Sequence, residues 1–181
     1  VYVYKRSGST WAQEAYIKSA NNDAGDYFGS NVSLDNDTLA VGASYERSNQ
    51  TTITNGTSAS NDNSNTASGA VYVYKRSGST WAQEAYIKAA NNDARDLFGS
   101  SVSIEGNTLA VGAESEASNQ TTITNDTTAS ADNSNASTGA VYVYTRIGTD
   151  YLNTIGNPVT RTNTIFRSNV NPTFDFQTDA G

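Results

Sequence analysis

The stretch VYVYKRSGSTWAQEAYIK, residues 1–18, returns unchanged as residues 71–88. Val and Tyr alternate through its first half, a period of two that suits a β-strand with both faces against something apolar. SGST is a turn of small residues, and WAQEAYIK continues as a partner strand, so the stretch predicts a hairpin with a four-residue loop. Strict alternation puts Trp11, Ala15 and Ile17 on one face and Tyr16 on the other with Glu14 and Lys18. The best helix candidate, AQEAYIKSANNDA (12–24), has good helix formers but only a short apolar period, and the surrounding Val, Tyr and Ile favour the strand.

Working outward, the duplication extends well beyond this hairpin. Residues 1–70 align with 71–140 without a gap and differ at 17 positions. A third unit opens at Val141 with VYVYTR and then diverges. Exchanges are mild where packing should be tight, as in Leu34 against Ile104, and freer in polar segments, as in Ser44–Tyr45 against Glu114–Ser115. A second hairpin lies in NVSLDNDTLAVGA (31–43), with Val32 and Leu34 on one side of its first strand and Leu39 and Val41 on one side of its second. Its turn, Asp35–Asn36–Asp37, becomes Glu105–Gly106–Asn107 in the second copy; Asn36 and Gly106 suit a positive φ. Residues 44–68 are polar and low in complexity. Within them QTTITN (50–55) can extend as a strand, the alternative being a mobile polar loop.

Composition removes several classes of function. The 181-residue chain has a net charge of −7 and no basic stripe, which excludes a nucleic-acid groove and disfavours an anionic membrane surface. There is no Cys, so no disulfide or thiolate chemistry, and no His, so no Ser-His-Asp relay. No apolar run is long enough to span a bilayer as a helix. The lack of Met and a first residue inside a strand lead us to expect a processed chain or a segment of a longer one.

The elements FGSNVSLDNDTLAVGA (28–43) and FGSSVSIEGNTLAVGA (98–113), each followed by GAVYVY (69–74 and 139–144), resemble FG-GAP repeats. That family includes the integrin-alpha-like propellers and many bacterial and archaeal surface proteins. The resemblance implies an all-β fold of tandem four-stranded antiparallel blades of about 70 residues, arranged as a partial β-propeller or an open stacked-blade array. It implies inner-to-outer strands near 30–34, 38–43, 69–75 and 81–88, then 100–104, 108–113 and 139–146. Residues 1–20 become the outer half of an incomplete blade, 21–90 and 91–150 two blade repeats, and 151–181 a divergent cap or junction. In the last of these, NTIFR (163–167) and PTFDFQ (172–177) read as two short strands. Phe28 and Phe98 are expected to wedge between sheets. Gly29, Gly42, Gly99 and Gly112 are expected where backbones approach closely. Surface location, adhesion and binding rather than catalysis follow from the same resemblance.

The residues offer a few candidate sites. Asp23 and Asp26, copied as Asp93 and Asp96, place hard oxygen ligands in a loop and suggest Ca2+, set against ordinary turn chemistry. The longer Asp-rich calcium loop of the family is absent. Asn-x-Ser/Thr occurs seven times, and the loop positions Asn49, Asn55, Asn119 and Asn125 are the best glycan acceptors. Tyr2, Tyr4, Tyr72, Tyr74, Tyr142 and Tyr144 recur in register as an inter-sheet core, or as a sugar-stacking surface where exposed. Lys5 and Arg6 read as charges on a solvated rim. The expected role is an extracellular structural or adhesive protein that self-associates or meets other repeats, a cell-surface protein or a glycan. The alternative is a carbohydrate-binding module.

Overall fold

The computed structural model describes residues 1–125, 127–148 and 150–152. Its strands are β1 (Tyr2–Ser7), β2 (Thr10–Tyr16), β3 (Asn31–Asp35), β4 (Thr38–Ala43), β5 (Thr54–Asn55), β6 (Ala70–Ser77), β7 (Thr80–Ile87), β8 (Phe98–Glu105), β9 (Thr108–Ala113), β10 (Ala140–Ile147) and β11 (Asp150–Leu152). No helix occurs among the described residues. The strands form three antiparallel sheets, ordered β1-β2, β3-β4-β6-β7-β5 and β11-β10-β9-β8. The expected half blade and two four-stranded blades are therefore present. The two-residue β5 is added on the outer edge of the first full blade, where Thr54 and Asn55 pair with Tyr86 and Ala85. The expected strands at 163–167 and 172–177 lie outside the described residues.

Two details differ from strict alternation. In the first hairpin the strands run to Ser7 and from Thr10, so two residues rather than four make the turn, and Gly8 takes φ +59° there. A bulge also sits in each outer pair. Val3 faces Ala15 but Tyr4 faces Gln13, which leaves Glu14 as the extra residue. The same shift recurs between Val73 and Tyr74. An inserted residue reverses the facing of everything beyond it. Trp11 therefore lies opposite Arg6, on the side of Tyr2, Tyr4 and Tyr16, and not with Ala15 and Ile17.

Each blade consequently has two chemically distinct faces. In the first full blade one face carries Tyr72, Tyr74, Tyr86, Leu39 and Val41, and it packs against Val3 and Ile17 of the half blade. The opposite face carries Ala40, Val71, Val73, Ala85 and Ile87, and it packs against Phe98, Leu109, Val111, Tyr142, Tyr144 and Tyr151 of the second blade. Both layer contacts thus set a tyrosine face of one sheet on a valine face of the preceding one. Burying each large apolar side chain contributes roughly 1.5–3 kcal/mol, which no isolated hairpin could gather alone.

The phenylalanine–glycine pairs sit at these junctions. Phe98 is fully buried and meets Tyr142 edge-on at 5.3 Å; Phe28 meets Tyr72 in the same way at 5.2 Å. Phe98 also forms a parallel bridge with Gly69 of the preceding blade. A Cβ on Gly42 would overlap the Gly99 carbonyl oxygen, so the two full blades approach backbone to backbone. Gly99 holds φ +87°, which a side chain resists. Gly29, at φ +92°, leaves little room beside Val1, and Gly112 faces only the Ser101 and Ser100 side chains.

Candidate interaction faces

The repeated outer hairpins place identical residues in opposite surroundings. Tyr2 is 59% exposed and Tyr72 not at all; Leu34 is 55% exposed and its counterpart Ile104 only 6%. Tyr4, Tyr16 and Trp11 are also exposed, whereas Tyr74 and Tyr86 are buried. Tyr2 and Tyr16 stack obliquely at 4.8 Å on the open surface of the half blade. At the other end the valine face of the second blade leaves Val141 71% exposed. The tyrosine ladder is an inter-sheet core where a layer covers it and a solvent surface where none does.

A polar latch closes the rim of each layer contact. Glu14 accepts from the Trp81 indole at 3.1 Å and from Arg76 at 3.1 Å. Arg76 also pairs with Asp37 at 2.6 Å and lies over the Trp81 ring. The Trp81 hydrogen bond and then the guanidinium hold the Glu14 carboxyl below its ordinary range. One repeat later Arg146 pairs with Glu84, and Tyr151 stands buried where the repeat has Trp81. The rim charges Lys5 and Arg6 are exposed. Sequence reasoning missed that their repeat-mates join layers, because Glu14 and Arg76 lie 62 residues apart.

The long polar segment is anchored by a buried ion pair. Lys88 Nζ lies 2.8 Å from Glu46, both side chains fully buried. It also donates to Ser68 Oγ at 2.9 Å. Ser48 donates its backbone N–H to the Glu46 carboxylate, and its hydroxyl lies 2.5 Å from that of Tyr86. Burial pulls the Lys88 ammonium down, and the Glu46 charge opposes that. In the second repeat Glu116 keeps the equivalent serine and asparagine contacts, but the sequence has Pro158 where Lys88 stood. No local signal marks Glu46 and Lys88, since each reads as a lone polar residue.

Asp26 and Asp96 are the buried members of the predicted aspartate pairs, each only 2% exposed. Both carboxylate oxygens of Asp26 and one of Asp96 have no hydrogen-bond partner. Desolvation, with nearby Glu46 and Asp23, pushes Asp26 up to about 6; desolvation, with Asp93 and Glu116, does the same for Asp96. Asp23 accepts instead from Asn63. Among the described residues no three carboxylates stand together as a metal cage. The candidate glycan acceptors Asn49, Asn55, Asn119 and Asn125 are all exposed. The Asn55 side-chain oxygen also accepts from the Tyr151 backbone N–H at 3.1 Å.

Alternating faces, rim latches and close glycine junctions define a protein of tandem β-blades that stack layer on layer. Residues 11–74 and 81–144 each match the FG-GAP repeat, and the chain belongs to that family. Each matched window begins in the outer strand of one blade and ends in the third strand of the next, so the sequence repeat straddles the layer contact. No curated protein matches the chain.

Proposed function

We propose that this is a non-enzymatic structural or adhesive protein of the cell exterior, which associates with further layers of its own kind through blade faces and edges. The observation that supports it is the exposure of Tyr2, Tyr4, Trp11 and Tyr16 at positions that are interface core one repeat later. Exposed apolar faces of this kind mark association sites. The arrangement favours binding over catalysis, since the buried carboxylates recur as the same neighbours in both repeats, Asp26 with Glu46 and Asp96 with Glu116, where one enzyme site would need such a pair once. Mass measured against concentration by light scattering is expected to rise with concentration; a single monomer mass throughout would overturn the reading.

Calcium remains part of the proposal. Asp26 and Asp96 offer carboxylate oxygens without hydrogen bonds, although Arg47 pairs with Asp26 at 3.8 Å and would have to yield, and carbonyl or water oxygens would have to complete a shell of 6–8. Added Ca2+ should raise the melting temperature and a chelator reverse it; no shift would remove Ca2+ from the account.

A second reading rests on the Tyr2–Tyr16 pair and Trp11, which are exposed together as aromatic faces suited to sugar rings. It predicts that soluble oligosaccharides perturb Trp11 fluorescence.

A further inference from the structure

We infer that the second repeat holds a site for an external guanidinium cation, in the cleft beside Asp96, where the first repeat uses its own Arg47. This goes beyond the self-association and calcium readings above. In the first repeat Arg47 pairs with the buried Asp26 at 3.8 Å, and its Nη2 donates to the Ala24 carbonyl at 3.0 Å. The Arg47 side chain stays 37% exposed while that of Asp26 is 3% exposed, so the buried carboxylate is reached from the solvent side. The second repeat keeps both acceptors, as Ala94 and Asp96. It also keeps the backbone around them: the Asp96 carbonyl accepts from the Ser115 N–H at 3.2 Å, as the Asp26 carbonyl accepts from Tyr45 at 3.3 Å. The arginine, however, is replaced by Ala117. Asp96 is still only 2% exposed, and its Oδ2 has no hydrogen-bond partner. A buried carboxylate without a counter-charge is costly, and a guanidinium that pairs with it offsets that cost.

Ala117 leaves room beside Asp96. Asp93, Ala94, Asp96 and Ala117 line a cleft of about 770 Å³, to which the first repeat contributes Tyr45. Tyr45 is 45% exposed and offers a ring on which a planar cation can stack. Leu97 adds apolar wall for an alkyl stem. Arg95, where the first repeat has Gly25, is the one cation lining the cleft among the described residues; it is exposed, and Asp96 Oδ2 is left unbonded beside it. Desolvation, then Asp93 and Glu116, favour the neutral form of Asp96. A guanidinium pairs with the ionised form, so it should bind more tightly at pH 7 than at pH 5.

The test uses the full chain, with guanidinium chloride at low millimolar concentration and arginine amide as probes and equal sodium chloride as the control. The readout is the backbone amide NMR shifts of Asp96 and Ser115. The parent should show one saturable site. Ala117→Arg should fill the cleft from within and bind neither probe, and Asp96→Asn should bind at least about tenfold more weakly. Should Ala117→Arg not fold, Asp96→Asn carries the test. Arg47→Ala should gain a second site, seen at Asp26 and Tyr45. Tighter binding of arginine amide than of the bare ion would assign the cation to a side chain, and equal binding to a free solute. Shifts no larger than those with sodium chloride would overturn the inference. So would binding that survives both Ala117→Arg and Asp96→Asn, or an Arg47→Ala variant that gains no site. Binding by Arg95→Ala but not by the parent would make Arg95 the partner of Asp96, and would also overturn it. Ca2+ that moves these amides where guanidinium does not would overturn it and leave the calcium reading standing.

Discussion

At the scale of single residues, the least expected feature is how much charge is buried. Lys88 and Glu46 are held by each other and by two serines, away from water. Replacing one member of such a pair strands the other, at a cost of about 3–5 kcal/mol, whereas removing both together costs much less. Lys88→Met should therefore lower stability by that amount in denaturant unfolding, and Glu46→Gln with Lys88→Met should recover most of it. The aspartates act in the opposite direction. Asp26 rises from an ordinary 3.8 to about 6 on folding, so the folded state prefers the neutral form. That contribution is fully present below the unfolded value and is lost as pH rises through about 6. The same holds for Asp96. Stability relative to an Asp26→Asn, Asp96→Asn double variant should fall between about pH 4 and 6, by up to roughly 3 kcal/mol for each site. A pH-independent difference between the two proteins would contradict this. None of this was legible in the sequence beyond the presence of Asp in a loop, because burial depends on segments brought in from far along the chain.

At the scale of elements, the same glycine has different neighbours in successive repeats. A Cβ at Gly42 meets the backbone carbonyl of Gly99, whereas at Gly112 it meets the Ser101 side chain, which can rotate. Gly42→Ala should thus cost about 1–3 kcal/mol as an overpacked contact, and Gly112→Ala far less, measured by the same unfolding experiment. The hairpins themselves were readable from residues. Val-Tyr alternation gave β1 and β6, and Val32, Leu34, Leu39 and Val41 gave the inner pair, whose turn has Asn36 at φ +50°. What alternation could not show was the bulge at Glu14, because one extra residue leaves no mark on composition. Trp11 was accordingly placed on the wrong face. QTTITN contributed only Thr54 and Asn55 to the sheet, and the rest of the polar segment around it is fixed by side-chain hydrogen bonds that sequence patterning does not encode.

At the scale of the whole molecule, the duplication is the reason one sequence can be both core and surface. VYVYKRSGSTWAQEAYIK folds as a bulged hairpin in both places; the second copy has a preceding layer over its tyrosine face and strands β4 and β5 at its edges, and the first copy is described with neither. The family resemblance anticipated the layered blades, while the two-faced chemistry of each layer emerged from the register. The most direct test compares two single-tryptophan variants of the full chain, Trp81→Phe and Trp11→Phe, at a concentration too low for association. The account predicts that the remaining Trp11, 64% exposed, emits at long wavelength and is readily quenched by acrylamide. The remaining Trp81, bound to Glu14 and capped by Arg76, should emit at shorter wavelength and resist quenching. Equal emission and equal quenching of the two would contradict the stacked-layer structure.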